Sequence, residues 1–231
     1  MYRLPKAHVR RLITPELLYF LYQLEKPLLV VVTGGPMAGK TTVMDFIQDT
    51  LGFLVRIVPE AATFLFKNGY PIPTEAQAKS SLWQRTFNNI IVPLTMGLED
   101  KALNQIGCPP LVFGDRGVGD GDGYHLEGGS SGFYDFHNFS PDLLNQRYTM
   151  VFHLTSLAVT NPAQFEKNIQ EGNMARYETS AAQAQKLDKD LMEAWKPHRR
   201  HIVITETSVE QLVQSFTIAL LNNLMEVANG G

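Results

Sequence analysis

The sequence predicts an α/β protein in which five parallel strands form one sheet with helices on both faces. Five short apolar runs, several of them rich in β-branched residues, alternate with longer segments of helical periodicity along the 231 residues. Parallel strands need crossover connections, so this alternation favours right-handed strand–helix–strand units. An apolar content of 44% in a chain of this length is sufficient for one domain with a sizeable core.

Before the sheet, the sequence predicts one additional helix. Thr14, Pro15 and Glu16 combine a typical N-cap, a proline at the first helical position and an acid in the first turn. We therefore expect a helical extension over residues 1–27 and a nucleotide-binding domain over residues 28–231. Charged residues interrupt the apolar N-terminal stretch, which argues against a signal peptide or a membrane span. The single cysteine, Cys108, excludes an intramolecular disulfide, and together these features favour a cytoplasmic protein.

The first strand leads into the most informative motif of the chain. The apolar run Val30–Thr33 is followed by Gly-x-x-x-x-Gly-Lys-Thr and then by a helical pattern. The glycines let backbone N–H groups turn toward an anion, and the helix that begins near Lys40 adds the positive end of its dipole. In such a loop, Lys40 reaches the β- and γ-phosphates of ATP and the Thr41 hydroxyl ligates Mg²⁺. The residues predicted to bind the nucleotide are Gly34, Gly35, Pro36, Met37, Ala38, Gly39, Lys40, Thr41 and Thr42.

The remaining strands are predicted from apolar runs that end at turn residues. They are placed at Phe53–Val58, Pro110–Asp115, about residues 149–154, and His201–Ile204. Between the second and third strands, a capping box at Thr74 predicts a long helix that Pro93 should kink or split. A Gly- and aromatic-rich loop is predicted from about residue 120 to residue 139.

The ends of the predicted strands hold the polar residues of most interest. Ligands of parallel sheets bind at the carboxyl ends of the strands, and Asp115 ends the third strand. An acid there is typical of a Walker-B residue that holds Mg²⁺, although it would also fit a turn cap. Arg116 follows directly and offers a planar donor fork to a phosphate, or alternatively forms a structural ion pair.

A second carboxylate, Glu60, follows the second strand. It is our candidate for the group that orients an acceptor hydroxyl and takes its proton. Asp120 and Asp122 compete for this role. Three further residues are candidates for the acceptor pocket, namely Gln84, Arg85 and Tyr124.

An arginine is also predicted in a lid, which we place around residues 158–180, between the fourth strand and the next helix. Arg176 lies there and would stabilise charge on the transferred phosphoryl group when the lid closes. Its alternative role is a surface ion pair with Glu178.

Taken together, these motifs resemble a known family. The P-loop, Val58-Pro59-Glu60, Asp115-Arg116-Gly117 and the segment around Arg176 look like the AAA-type ATP-binding domains grouped with nicotinamide-riboside-kinase domains. More distantly, they are similar to deoxynucleoside and nucleoside-monophosphate kinases. The resemblance implies a P-loop NTPase fold with strand order 2-3-1-4-5, Mg-ATP as donor and a lid arginine. A single lid arginine departs from many nucleotide kinases and favours a nucleoside-like or other neutral acceptor.

Other nucleotide-binding classes fit the sequence less well. A GTPase needs an Asn/Thr-Lys-x-Asp element, which the run Leu187–Asp190 does not match. An ABC-type signature would precede the Walker-B strand, whereas Leu126–Ser130 follows it. The remaining alternative is a regulatory ATPase coupled to a protein partner. The formal charge of −3 gives no nucleic-acid or membrane footprint, and the sequence leaves the oligomeric state open.

Overall fold

A five-stranded sheet forms the centre of the protein. The computed structural model describes residues 13–78, 80–124, 129–140, 142–171 and 180–230. The strands are β1 (Leu28–Thr33), β2 (Val55–Val58), β3 (Leu111–Asp115), β4 (Met150–Leu154) and β5 (His201–Ile204). All are parallel and lie in the order β2-β3-β1-β4-β5. This confirms the predicted fold class and strand order.

Helices follow or precede every strand. They are α1 (Pro15–Gln23), α2 (Lys40–Leu51), α3 (Ala61–Lys67), α4 (Glu75–Ala78), α5 (Ser81–Leu103), α6 (Asp120–Gly123), α7 (Gly129–His137), α8 (Leu143–Arg147), α9 (Leu157–Thr160), α10 (Pro162–Gln170), α11 (Ala181–Trp195) and α12 (Val209–Ala228). Within the described ranges, none of these helices combines the length and apolar character needed to cross a membrane.

The two faces of the sheet are covered by different helices. Side chains alternate along β1, so Val30 and Val32 join a core with α1, α2 and α12. Leu29 and Val31 join a second core with α5, α7, α8 and the end of α11. A third, smaller cluster lies among α9, α10 and α11. Helices on both faces follow from strands that are apolar on both sides.

The long helix predicted after residue 74 is two helices. The capping box forms, because the Thr74 backbone N–H donates to Gln77 Oε1 at 2.9 Å, but α4 then ends at Ala78. Ser80 caps α5 separately by accepting from the Trp83 N–H. Pro93 does not split α5, which runs from Ser81 to Leu103 with this proline exposed. Water can bind the carbonyl that lacks a helical donor there.

The predicted loop between residues 120 and 139 instead contains α6 and α7. Its glycines permit close packing: a Cβ on Gly119 would lie 2.8 Å from the Trp195 ring, and one on Gly123 would lie 2.8 Å from Leu191. The short helix α6 therefore lies directly on α11. Tertiary packing here outweighs the low helix propensity of glycine.

Candidate functional site

The P-loop lies between β1 and α2, at the carboxyl edge of the sheet. Its turn uses left-handed backbone at Gly34 (φ 134°), Met37 (φ 55°) and Gly39 (φ 85°). A Cβ on Gly34 would lie 2.0 Å from the Leu154 carbonyl oxygen, so this position requires glycine. Lys40 Nζ donates to the Gly34 and Gly35 carbonyl oxygens at 3.0 and 3.2 Å, which holds its charge beside the loop.

The other residues of the motif take complementary positions. Within the loop, Pro36 and Ala38 are buried, whereas Thr41 and Thr42 are exposed in the first turn of α2. The Thr41 hydroxyl therefore lies on the accessible side of the helix N-terminus, where a phosphate-bound cation would be coordinated.

The ends of β2 and β3 bring Glu60 and Arg116 together. Arg116 Nε lies 2.8 Å from Glu60 Oε1, and its Nη1 lies 2.9 Å from Asp120 Oδ1. Arg116 has left-handed backbone (φ 69°), and its guanidinium lies 5.5 Å from the centre of the Tyr124 ring. Burial opposes the charge of Arg116, but Tyr124 and the surrounding carboxylates raise its pKa well above the ordinary value. Three predicted site residues are thus joined by the two ion pairs of Arg116.

Glu60 remains charged in this cluster. Burial acts to raise its pKa, but Arg116, the Thr63 hydroxyl and Lys40 together hold the pKa below its ordinary value. Thr63 Oγ1 donates to Glu60 Oε2 at 2.6 Å, which fixes the carboxylate at the start of α3. At neutral pH, Glu60 is therefore an ionised hydrogen-bond acceptor.

Asp115 has the opposite shift. Burial and repulsion from Glu60 raise its pKa, although Lys40 and Arg116 oppose this effect. In the described part of the chain, its buried Oδ1 atom has no hydrogen-bond partner. A divalent cation would supply the missing partner and reverse the pKa shift, so Asp115 fits the predicted Mg²⁺ role.

A metal site here would depend on the nucleotide. Among the described residues, no group of three or more His, Cys, Asp and Glu side chains is arranged to hold a metal ion. Mg²⁺ is usually bound by one or two carboxylates together with substrate phosphates and water. Asp115 would supply the carboxylate ligand of such a site and Thr41 the hydroxyl ligand.

Asp120, predicted as a possible acceptor contact, is buried and saturated with hydrogen bonds. Its Oδ1 accepts from the Thr33 hydroxyl, and its Oδ2 accepts from the Gly117 N–H at 3.0 Å and from Trp195 Nε1 at 3.1 Å. These bonds join β1, α6 and α11. The structure thus places Asp120 where it holds the Arg116 guanidinium, and its carboxylate oxygens are already occupied by protein donors.

The remaining acceptor candidates lie around α5, α6 and α7. Asp122 is buried in α6. Burial of Tyr134, together with repulsion from Asp122, raises the pKa of Tyr134 to about 12. Arg85 is exposed, with its guanidinium 5.1 Å from the centre of the Phe136 ring, and Gln84 beside it is half-buried. Arg85 is thus directed toward α7. Arg176, the predicted lid arginine, lies outside the described residues.

Sequence reasoning missed Asp188. This residue of α11 is buried, and its Oδ1 accepts from the backbone N–H of Gly35, in the P-loop, at 2.7 Å. The signal was present in the sequence, because Asp188 occupies the buried stripe of α11 together with Ala184, Leu191 and Trp195. A charged residue in an apolar stripe needs a buried partner.

A groove at the opposite end of the sheet is remote from these residues. It is lined by segments that precede β1, β2 and β3, including Tyr22, Phe53 and Cys108. Burial raises the pKa of the Cys108 thiol, which disfavours the reactive thiolate. Cys108 is therefore better suited to packing than to covalent chemistry.

One comparison with known proteins gives a match. A family model described as an AAA domain matches residues 29–211, which include the P-loop, Glu60, the Asp115–Asp120 segment and Asp188. No curated protein matches the sequence.

Proposed function

Because the chain belongs to the AAA domain family, we propose that it is a Mg-ATP-dependent phosphotransferase acting on a small nucleoside-like or nucleotide hydroxyl acceptor. The family and the strand order indicate a nucleotide-binding P-loop protein. Neither the family nor the strand order identifies an acceptor, so transfer to an acceptor is part of our proposal. It is supported by one observation: an ionised carboxylate, Glu60, lies at the P-loop edge of the sheet and interacts electrostatically with Lys40 and Asp115.

The donor side of the reaction would use the P-loop. Lys40 would bind the β- and γ-phosphates by exchanging its bonds to the loop carbonyls for bonds to phosphate oxygens. Bound Mg²⁺, held by Asp115 and Thr41, would neutralise charge on the same phosphates. Arg116 keeps Glu60 and Asp120 in place beside this site.

The acceptor side would use Glu60. With its lowered pKa, Glu60 is a weak base but a permanent hydrogen-bond acceptor, so it would orient the hydroxyl toward the transferred phosphoryl group. Phosphoryl transfer depends mainly on positioning and charge stabilisation, which suits such a group. Arg176 remains our proposed lid arginine, and a single arginine in the sequence of the segment 158–180 favours an acceptor with little negative charge.

The proposal is tested by screening the purified protein with labelled ATP against nucleosides, nicotinamide riboside and nucleoside monophosphates. We expect label on one acceptor with the unaltered protein and none with Lys40→Ala. Full transfer by Lys40→Ala would refute the proposal. Phosphate release without a labelled acceptor, stimulated by a protein partner, would instead support a regulatory ATPase.

The role of Glu60 is tested separately with Glu60→Gln. We expect transfer to slow by about 100-fold while ATP affinity changes by less than about threefold. Glu210→Gln is the matched control, since it removes the same charge from an exposed position at the start of α12. Unchanged transfer by Glu60→Gln would remove this residue from the mechanism.

A further inference from the structure

One carboxylate oxygen fastens the P-loop to two other elements. Asp188 Oδ1 accepts from the Gly35 N–H at 2.7 Å and from the Ser156 N–H at 3.1 Å, and it lies 3.2 Å from His153 Nε2. These groups belong to the P-loop, to the turn after β4, and to β4 itself. The bond to Gly35 spans 153 positions of the sequence.

The packing around Asp188 leaves no room for a side chain in the loop. A Cβ on Gly35 would lie 2.7 Å from Asp188 Oδ1 and 2.9 Å from Ser156 Cβ. Glycine at this position therefore allows the loop backbone to reach the carboxylate. Asp188 is buried in the apolar stripe of α11, where an ionised group is retained only with strong hydrogen-bond donors.

The next two residues of the loop are tied to the same region. The Ser156 hydroxyl donates to the Pro36 carbonyl oxygen at 2.5 Å and accepts from the Ala158 N–H. Met37 packs against the small core among α9, α10 and α11. Three successive P-loop residues are therefore anchored to elements that follow β4.

We infer that Asp188 is a positioning residue that fixes the shape of the P-loop before nucleotide binds. Its Oδ1 accepts from the Gly35 N–H and keeps this end of the loop in place. The loop therefore loses less conformational entropy when it binds phosphate. Asp188 also makes α11 part of the nucleotide site without touching the nucleotide. The inference rests on the nucleotide binding of the proposed function and is independent of any acceptor.

Electrostatics and positioning predict effects of opposite sign, which makes the inference testable. A carboxylate near the phosphate site repels phosphate, so loss of its charge alone would strengthen nucleotide binding. Loss of the Gly35 anchor would weaken binding, because the loop would have to be ordered by the nucleotide. A purely structural role would lower thermal stability and leave the affinity of the folded protein unchanged.

The experiment measures ATP affinity by calorimetry in the presence of Mg²⁺, well below each variant's melting temperature. We expect Asp188→Ala to raise the Kd by about tenfold or more, and Asp188→Asn, which retains an oxygen acceptor, to stay within about threefold of the unaltered protein. Asp190→Asn is the control for charge, because Asp190 lies on the same helix in a surface pair with Lys186. Leu224→Ala, in the core part of α12, is the control for lost stability.

The outcomes separate the explanations. An Asp188→Ala protein that binds ATP as tightly as the unaltered protein, or more tightly, overturns the inference. Equally weak ATP binding by Asp188→Asn and Asp188→Ala also overturns it, since only the asparagine variant retains an oxygen that can accept from the Gly35 N–H. Failure of the unaltered protein to bind ATP would refute the proposed function itself.

A measurement on the unaltered protein covers the case in which Asp188→Ala does not fold. The Gly35 amide should exchange its hydrogen at least about 100-fold more slowly than an exposed amide in the absence of nucleotide. Exchange at the rate of an exposed amide would overturn the inference.

Discussion

Two arginine–carboxylate clusters with similar geometry have different electrostatics. In the site cluster, Arg116 pairs with Glu60 and Asp120; in the second, which we call the brace cluster, Arg147 pairs with Glu99 and Asp100. The two arginine side chains are almost equally buried, at 14% and 13% exposure. The partner glutamates differ, because Glu60 is 29% exposed and Glu99 is fully enclosed.

The pKa values of the two glutamates shift in opposite directions, because their neighbouring charges and donors differ as well as their exposure. Burial raises the pKa of Glu99 to about 7, despite the opposing attraction of Arg147 and the hydrogen bonds from Arg147 and Tyr148. For Glu60, neighbouring donors and cations outweigh burial, and its pKa is lowered. The comparison teaches that one arginine does not offset burial at Glu99, whereas an arginine, a second cation and a hydroxyl donor together do so at Glu60.

The brace cluster also supports the site cluster. The Tyr148 hydroxyl donates to Glu99 Oε1 at 3.0 Å and accepts from the Val118 N–H at 2.8 Å. Val118 lies in the turn that carries Arg116 into α6. The enclosed cluster therefore fixes the backbone from which the accessible cluster extends.

The largest effect on stability is expected from Arg147→Met. This change removes the hydrogen bonds of Arg147 to Glu99, to Asp100 and to the Met96 carbonyl, and Glu99 then takes up a proton, so the free energy of unfolding should fall by about 3–5 kcal/mol. Urea denaturation at neutral pH measures the loss. The double variant Glu99→Gln, Arg147→Met should recover part of it, because the amide needs no proton to be buried. A loss below about 1 kcal/mol in the single variant would contradict the brace assignment.

A pH profile of stability should separate Glu99 from other carboxylates. Because its folded pKa of about 7 lies above the ordinary 4.5, the unfolded state releases the proton first and stability falls as pH rises through this window. Glu99 should account for a loss of about 3 kcal/mol between these pH values. Relative to the unaltered protein, Glu99→Gln should become more stable by this amount as pH rises from 4.5 to 7. A pH-independent difference would show that Glu99 titrates normally.

Tyr148→Phe should have an intermediate effect. It leaves the Val118 N–H buried without its acceptor, which costs about 1–3 kcal/mol in the free energy of unfolding. The affected turn carries Arg116, so hydrogen exchange should also quicken at residues 116–120, while α12, on the other face of the sheet, serves as the internal control. Unchanged exchange in this turn would mean that the brace cluster does not support the site.

Local signals were sufficient to predict most of the framework. The apolar runs predicted all five strands, and Thr14 caps its helix as expected. The P-loop, Glu60 and Arg116 could be placed at one edge because parallel strands end together. In these cases the information lies within a few consecutive residues, where backbone preferences act directly.

The supporting contacts could not be predicted because they connect distant positions. The bond between Trp195 and Asp120 spans 75 positions, and that between Asp188 and Gly35 spans 153. The glycines of α6 predicted a loop, whereas in the structure they allow large neighbouring side chains to pack against a helix. Only a charge at the helical spacing of apolar residues, as Asp188 has with Ala184 and Leu191, signals such a contact in advance.

The smallest effect is expected from the site cluster itself, with Glu60→Gln lowering the free energy of unfolding by about 1 kcal/mol at neutral pH. Because the folded pKa of Glu60 is lowered, its contribution is present above pH 4.5 and is lost as pH falls through the folded pKa. The difference in unfolding free energy between Glu60→Gln and the unaltered protein should therefore shrink as the pH falls below 4.5. The corresponding difference for Glu99→Gln should change between pH 4.5 and 7 instead. Paired urea titrations of both variants at several pH values measure this contrast. If the two stability differences changed with pH in the same way, the pKa values of Glu60 and Glu99 would not shift in opposite directions.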